Sequence, residues 1–128
     1  MSKSFVIKCG IYPFDVLVSV AQTDAALRRA LHVRGVDSGF EDAFTMSETV
    51  DARFLMDESG KSLIRFKRVL DDHARMQSVI AHESLHATHH ILNRVGISLV
   101  PESEEAFTYL LGYLVEQINK RIYEYTAV

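Results

Sequence analysis

The sequence predicts an α+β fold, a small mixed sheet of about four strands with helices packed on one face. Two pairs of β-rich runs flank turn residues, and two long segments with helical spacing of apolar residues close the chain. The predicted order is β-β-α-β-β-α-α, with strands grouped early and helices late, the pattern of α+β rather than α/β architecture.

Each element has a local reason. Phe5-Val6-Ile7-Lys8-Cys9 is a β-rich run, Gly10-Ile11-Tyr12-Pro13 reads as a turn, and residues 14–20 are β-branched and partly alternating. Together they predict a hairpin. Thr23 or Asp24 can cap a helix running to about Arg34, with Leu27 and Leu31 on one face and Gly35 placed to end it. Residues 36–45 carry a weak pattern and read as loop. Residues 50–56 and 62–66 flank Asp57-Glu58-Ser59-Gly60-Lys61, which predicts a second hairpin with glycine in its turn. Asp71 or Asp72 starts a long helix that reaches Asn93 or Arg94, and Val95-Gly96-Ile97 marks its end. After Pro101 a last helix starts at Glu102 and runs to about Tyr123. Glu102, Glu104 and Glu105 in its first turn suit the positive end of the helix dipole.

Composition narrows the function classes. A chain of 128 residues is one domain by length, and 48% apolar residues suffice for a core. The net charge of -3 argues against a dedicated nucleic-acid binder, which shows a strongly basic face. The single Cys9 excludes an internal disulfide and cysteine-rich structural zinc, so a metal here must use histidine and carboxylate. A lone cysteine, no visible signal peptide and no apolar run of membrane length give a cytoplasmic expectation, without membrane partners.

The chemistry concentrates in His82-Glu83-Ser84-Leu85-His86, an H-E-x-x-H match inside the long helical segment. Residues four apart share a helix face, so His82 and His86 can offer two imidazole nitrogens to one tetrahedral Zn²⁺. A glutamate placed like Glu83 takes a proton from the attacking water in zinc peptidases. Catalytic zinc has three protein ligands and one open position. A short connection makes the last two helices antiparallel neighbours, so a carboxylate early in the last helix can face the pair. Glu105 is the expected third ligand, with Glu104 and Glu102 as substitutes. His89 lies seven residues from His82, about 10 Å of helix rise, too far to share one metal with it comfortably. His89 and His90 read as a polar patch near the helix end.

His82-Glu83-x-x-His86 followed by Glu105-Ala106-Phe107 resembles the gluzincin branch of zincin-like metallopeptidases. Residues 80–114, and Ile11-Tyr12-Pro13-Phe14-Asp15-Val16 near the start, are similar to small zincin-like proteins of bacteriophages and prophages. The resemblance implies a minimal zincin core: a sheet, an active-site helix and a third-ligand helix packed against it. It implies His82, His86 and Glu105 as zinc ligands and Glu83 as catalytic acid/base, in the cytoplasm of a host cell. Larger gluzincins carry a further domain that closes the cleft and supplies a transition-state donor, whereas about 23 residues follow Glu105 here.

The expected function is a zinc-dependent metallopeptidase-like hydrolase acting on a peptide or amide, with water activated by zinc and Glu83 as general base. The alternative is a catalytically silent zincin-like module that binds or regulates a protein partner. Tyr109, one turn beyond Glu105, is a candidate donor to the oxyanion or an aromatic packed on the helix seam. Tyr113, Tyr123 and Tyr125 are further phenols. The basic run Leu63-Ile64-Arg65-Phe66-Lys67-Arg68, with Lys61, reads either as an edge strand that adds an acidic peptide or as a solvated edge guarded by charge.

Overall fold

The computed structural model describes residues 2–36 and 38–124, so Tyr125 lies outside the described residues. The predicted elements occur in the predicted order: β1 (Lys3–Lys8), β2 (Asp15–Val20), α1 (Asp24–Val33), β3 (Ala52–Met56), β4 (Ser62–Phe66), α2 (His73–Arg94) and α3 (Glu104–Ile122). Short 3₁₀ turns at Glu41–Phe44 and Pro101–Ser103 are additional. The fold is α+β with one four-stranded mixed sheet in the order β1-β2-β4-β3. β1/β2 and β3/β4 are antiparallel hairpins, and they join through the parallel pair β2/β4.

The helix starts follow their caps. The Thr23 hydroxyl accepts from the Ala26 N–H, and the Asp72 carboxylate accepts from the Arg75 N–H. Each satisfies an amide that the first turn leaves without a helical partner. In the β3–β4 turn Gly60 has φ 91°, and a Cβ there would meet the Phe14 ring at 2.6 Å. Glycine is thus required both by backbone and by space.

Alternation along the central strands divides the core. Val16, Val18, Val20, Ile64 and Phe66 face α2 and α3, where Ile80, Ile91, Leu114 and Ile118 complete the larger cluster. Leu17 and Leu63 face the other way and are covered by Leu27, Leu31, Val36, Phe40 and Ala43. The expectation of helices on one face is therefore corrected: α1 and the segment after it close the second face. The reason is the parallel pair at the sheet centre, since central strands buried on both sides need a layer on each.

The reading of residues 63–68 as an edge is also corrected. β4 lies between β2 and β3, and the edge beside α2 is β3. Arg65 is 8% exposed and donates to the carbonyls of Ala43 (2.7 Å) and Gln22 (3.0 Å). It binds its neighbours rather than an incoming chain.

α2 and α3 run antiparallel. The Gln77 side-chain amide donates to Asn119 at 2.7 Å, and the His89 ring lies 6.4 Å from Phe107. Tyr113 anchors α3 to β1 by donating to the Lys8 carbonyl at 2.8 Å. Among the described residues no helix is long and apolar enough to cross a membrane.

Cys9 is buried, and burial first and the Asp15 charge second push its thiol up to about 11. The thiolate is the reactive form. At pH 8 the folded protein is expected to react with a thiol reagent about a hundredfold more slowly than the urea-unfolded chain. Equal rates in a stopped-flow comparison would show that Cys9 is not shielded.

Candidate metal centre

α2 carries its core residues on one side and its histidines on the other. Met76, Ile80, Ser84, Ala87 and Ile91 are buried, while His82 and His86 are exposed. Among the described residues, the three groups that come close enough to hold a cation together are His82, Glu83 and His86, with ligand atoms within 4.8 Å of one another. The two Nε2 atoms are 3.3 Å apart. Two zinc–nitrogen bonds of about 2.0–2.1 Å meeting at a tetrahedral angle place their nitrogens about 3.3 Å apart. The donor pair therefore fits zinc in both chemistry and spacing.

Glu83 points toward the sheet. It is 5% exposed, and the Phe54 backbone N–H donates to its carboxylate. The sheet register explains that donor. The Asp51 carbonyl accepts from the Lys67 N–H and the Asp57 N–H donates to Lys61, so odd-numbered residues of β3 turn their main chain toward β4. Ala52, Phe54 and Met56 present theirs to the free edge. Glu83 thus occupies one donor of that edge.

Burial raises the Glu83 carboxyl above its ordinary range, partly offset by His82, His86, the Phe54 N–H and Arg53. A raised acid contributes stability that is full below about pH 4.5 and is lost as pH rises through its folded value. Glu83→Gln is therefore expected to raise the urea midpoint of the metal-free protein at neutral pH relative to wild type. The difference should vanish near pH 4. A difference independent of pH would mean that the carboxyl carries no such penalty.

The other histidines are engaged elsewhere. His89 contacts the Asn93 amide at 3.1 Å as well as Phe107, and the His90 ring lies 5.2 Å from Phe54. Burial, followed by His89 and His86, lowers His90.

Glu105 is exposed in the first turn of α3 and does not join the His82–Glu83–His86 group. The pairings of Gln77 with Asn119 and His89 with Phe107 set it level with Ile91, about 7.5 Å along α2 from His86. Helical side chains also lean toward their own N-terminus, which on α3 points away from the pair. Glu104 lies beside it, lining an apolar groove with Leu85, Leu99, Val100 and Phe107, and Glu102 is exposed in the preceding 3₁₀ turn. Tyr109 is 76% exposed, so it is not packed on the helix seam.

A groove of about 440 Å³ runs between the N-terminal half of β3 and α2. Val50, Asp51, Ala52 and Arg53 line one side, and Ser78, Val79, His82, Glu83 and His86 the other. Arg53 is a site residue that the sequence reading missed. Its position on an edge strand opposite the motif is set by the β3/β4 register, and no local signal in the sequence reports that.

No protein-family model, no curated protein and no solved structure matches the chain.

Proposed function

We propose that the protein is a zinc-dependent hydrolase of the zincin-like kind, acting on a peptide or amide laid along the free edge of β3. The observation that carries this reading is the 3.3 Å separation of the His82 and His86 Nε2 atoms, which matches the edge of a zinc tetrahedron. Bound zinc would polarise the scissile carbonyl and lower the pKa of water. His82 and His86 hold the metal, and Glu105 is the proposed third ligand. Glu83 takes the proton from the attacking water and delivers it to the leaving amine. The outward main-chain groups of Ala52 and the Phe54 carbonyl can pair with an extended substrate, a strand-addition mode. Tyr109 remains a proposed donor to the oxyanion, from the solvent face of α3.

The second reading, a silent zincin-like binding module, is favoured by the Glu83 anchor on Phe54, which holds the carboxylate against the sheet. Zinc-loaded protein and Glu83→Gln, each incubated with a mixed fluorogenic peptide library, separate the two. The hydrolytic reading expects cleavage by the wild type and at least about a thousandfold less by Glu83→Gln with zinc retained. Peptide capture without cleavage in both proteins selects the binding module.

A further inference from the structure

The groove between β3 and α2 has a charged end. Asp51, which lines it, is 14% exposed and receives two guanidinium groups, Arg68 at 3.0 Å and Arg75 at 3.2 Å. Both cations are more than half exposed, at 54% and 66%. Two positive charges therefore surround one sheltered negative charge and face solvent. Arg53 borders the groove, but its guanidinium turns to Asp42 at 3.7 Å, in the layer on the second face of the sheet. Two further carboxylates are near in sequence: Asp72 is committed to capping α2 through the Arg75 N–H, and Asp71 is exposed.

The spacing along α2 gives this end a register. Arg75 and His82 are seven residues apart and lie on one stripe, about 10 Å of helix rise. An extended peptide advances about 3.3 Å per residue, so that distance is three residues.

We propose that the groove selects an acidic peptide, with a Glu or Asp side chain received by Arg75 and Arg68 three residues from the bond over His82 and His86. The spacing rests on the hydrolase reading of the metal centre, whereas the charge preference does not. Lys-bearing peptides are disfavoured by the same two cations, and salt weakens the selection because the guanidinium groups are exposed.

Two sets of dye-labelled, alanine-based nonapeptides test this by fluorescence anisotropy on the full chain. In the first set, one central Glu is compared with one central Lys, using metal-free protein at low salt. Glu peptides are expected to bind about tenfold tighter, with the difference lost at 0.5 M salt and in Arg75→Glu, and reduced in Arg68→Gln. Glutamate in the first turn of a helix suits its dipole, so Arg75→Glu is expected to fold. The second set ends in a hydroxamate, anchoring one end on the zinc-loaded centre, with Glu moved stepwise from it. The tightest binding is expected with Glu at the third residue. Equal binding of Glu and Lys peptides, binding of neither, or an acid preference unchanged in Arg75→Glu overturns the proposal. Failure of zinc to bind sinks the metal reading alone, because the first set needs no metal.

Discussion

Zinc added to metal-free protein is expected to bind one equivalent per chain and to raise the melting temperature by on the order of 10 °C. The arithmetic is mass action: free zinc at a hundred times its dissociation constant stabilises the folded chain by about 2.7 kcal/mol. For a domain of this size each kcal/mol moves the midpoint by about 3–6 °C. His82→Ala and His86→Ala are each expected to lower zinc affinity by at least about a hundredfold, since each removes one of two nitrogens whose separation already matches the metal. Both rings are exposed, so neither substitution should unfold the metal-free protein. The carboxylates then separate the roles. Glu105→Gln is expected to weaken zinc, and Glu83→Gln to leave its affinity within a few-fold. The reverse result would make Glu83 the third ligand and remove the general base from the proposed reaction. Isothermal titration of the four variants, with metal content measured on protein lacking a histidine tag, gives the answer.

What was legible beforehand follows from which interactions are local. Caps, turns and periodicity act over a few residues, so Thr23, Asp72, Gly60 and the helical spacing in residues 73–94 placed the elements within about two residues. The motif was legible for the same reason, because residues four apart on one helix meet whatever surrounds them. Strand order was not local. Nothing between residues 62 and 68 reports that β2 pairs in parallel with β4 and leaves β3 at the edge. One signal did exist in β2, where Val16, Leu17, Val18 and Val20 make residues 16–20 apolar but for Ser19, and the structure buries all five. A near-continuous apolar strand implies cover on both faces, and it would have moved α1 and Phe40 to the second face. Glu105 shows the same limit from the other side. A short connection makes α2 and α3 antiparallel neighbours, but their register is set by Gln77 with Asn119 and by packing at Phe107. That register, rather than sequence spacing, decides how far Glu105 stands from the pair.

Arg65→Ala is expected to destabilise the protein by about 2–4 kcal/mol, although an arginine in a basic run reads as a surface residue. The side chain crosses the second face of the sheet at 8% exposure. Its guanidinium donates to Ala43 and Gln22 and pairs with Asp24 at 2.9 Å, while its cation lies 5.6 Å from the Phe44 ring. Those partners sit before α1, at its first turn and in the 3₁₀ turn after it, so one side chain ties the second-face layer to the central strand. Truncation leaves two main-chain carbonyls without a donor, at about 1–3 kcal/mol for each that stays buried. Asp24 adds little, because its carboxylate is 62% exposed and water replaces the lost partner. Arg65→Lys is expected to recover less than half the loss, since an ammonium on a single stem cannot reach two carbonyls in different directions as a planar guanidinium does. Urea denaturation of the metal-free proteins measures both. A change below about 0.5 kcal/mol for Arg65→Ala, the range of an ordinary surface substitution, would return Arg65 to the solvent and reopen β4 as a surface for a partner. Zinc affinity gives the internal control. The second-face layer lies across the sheet from α2, so Arg65→Ala should lower stability with and without metal by the same amount.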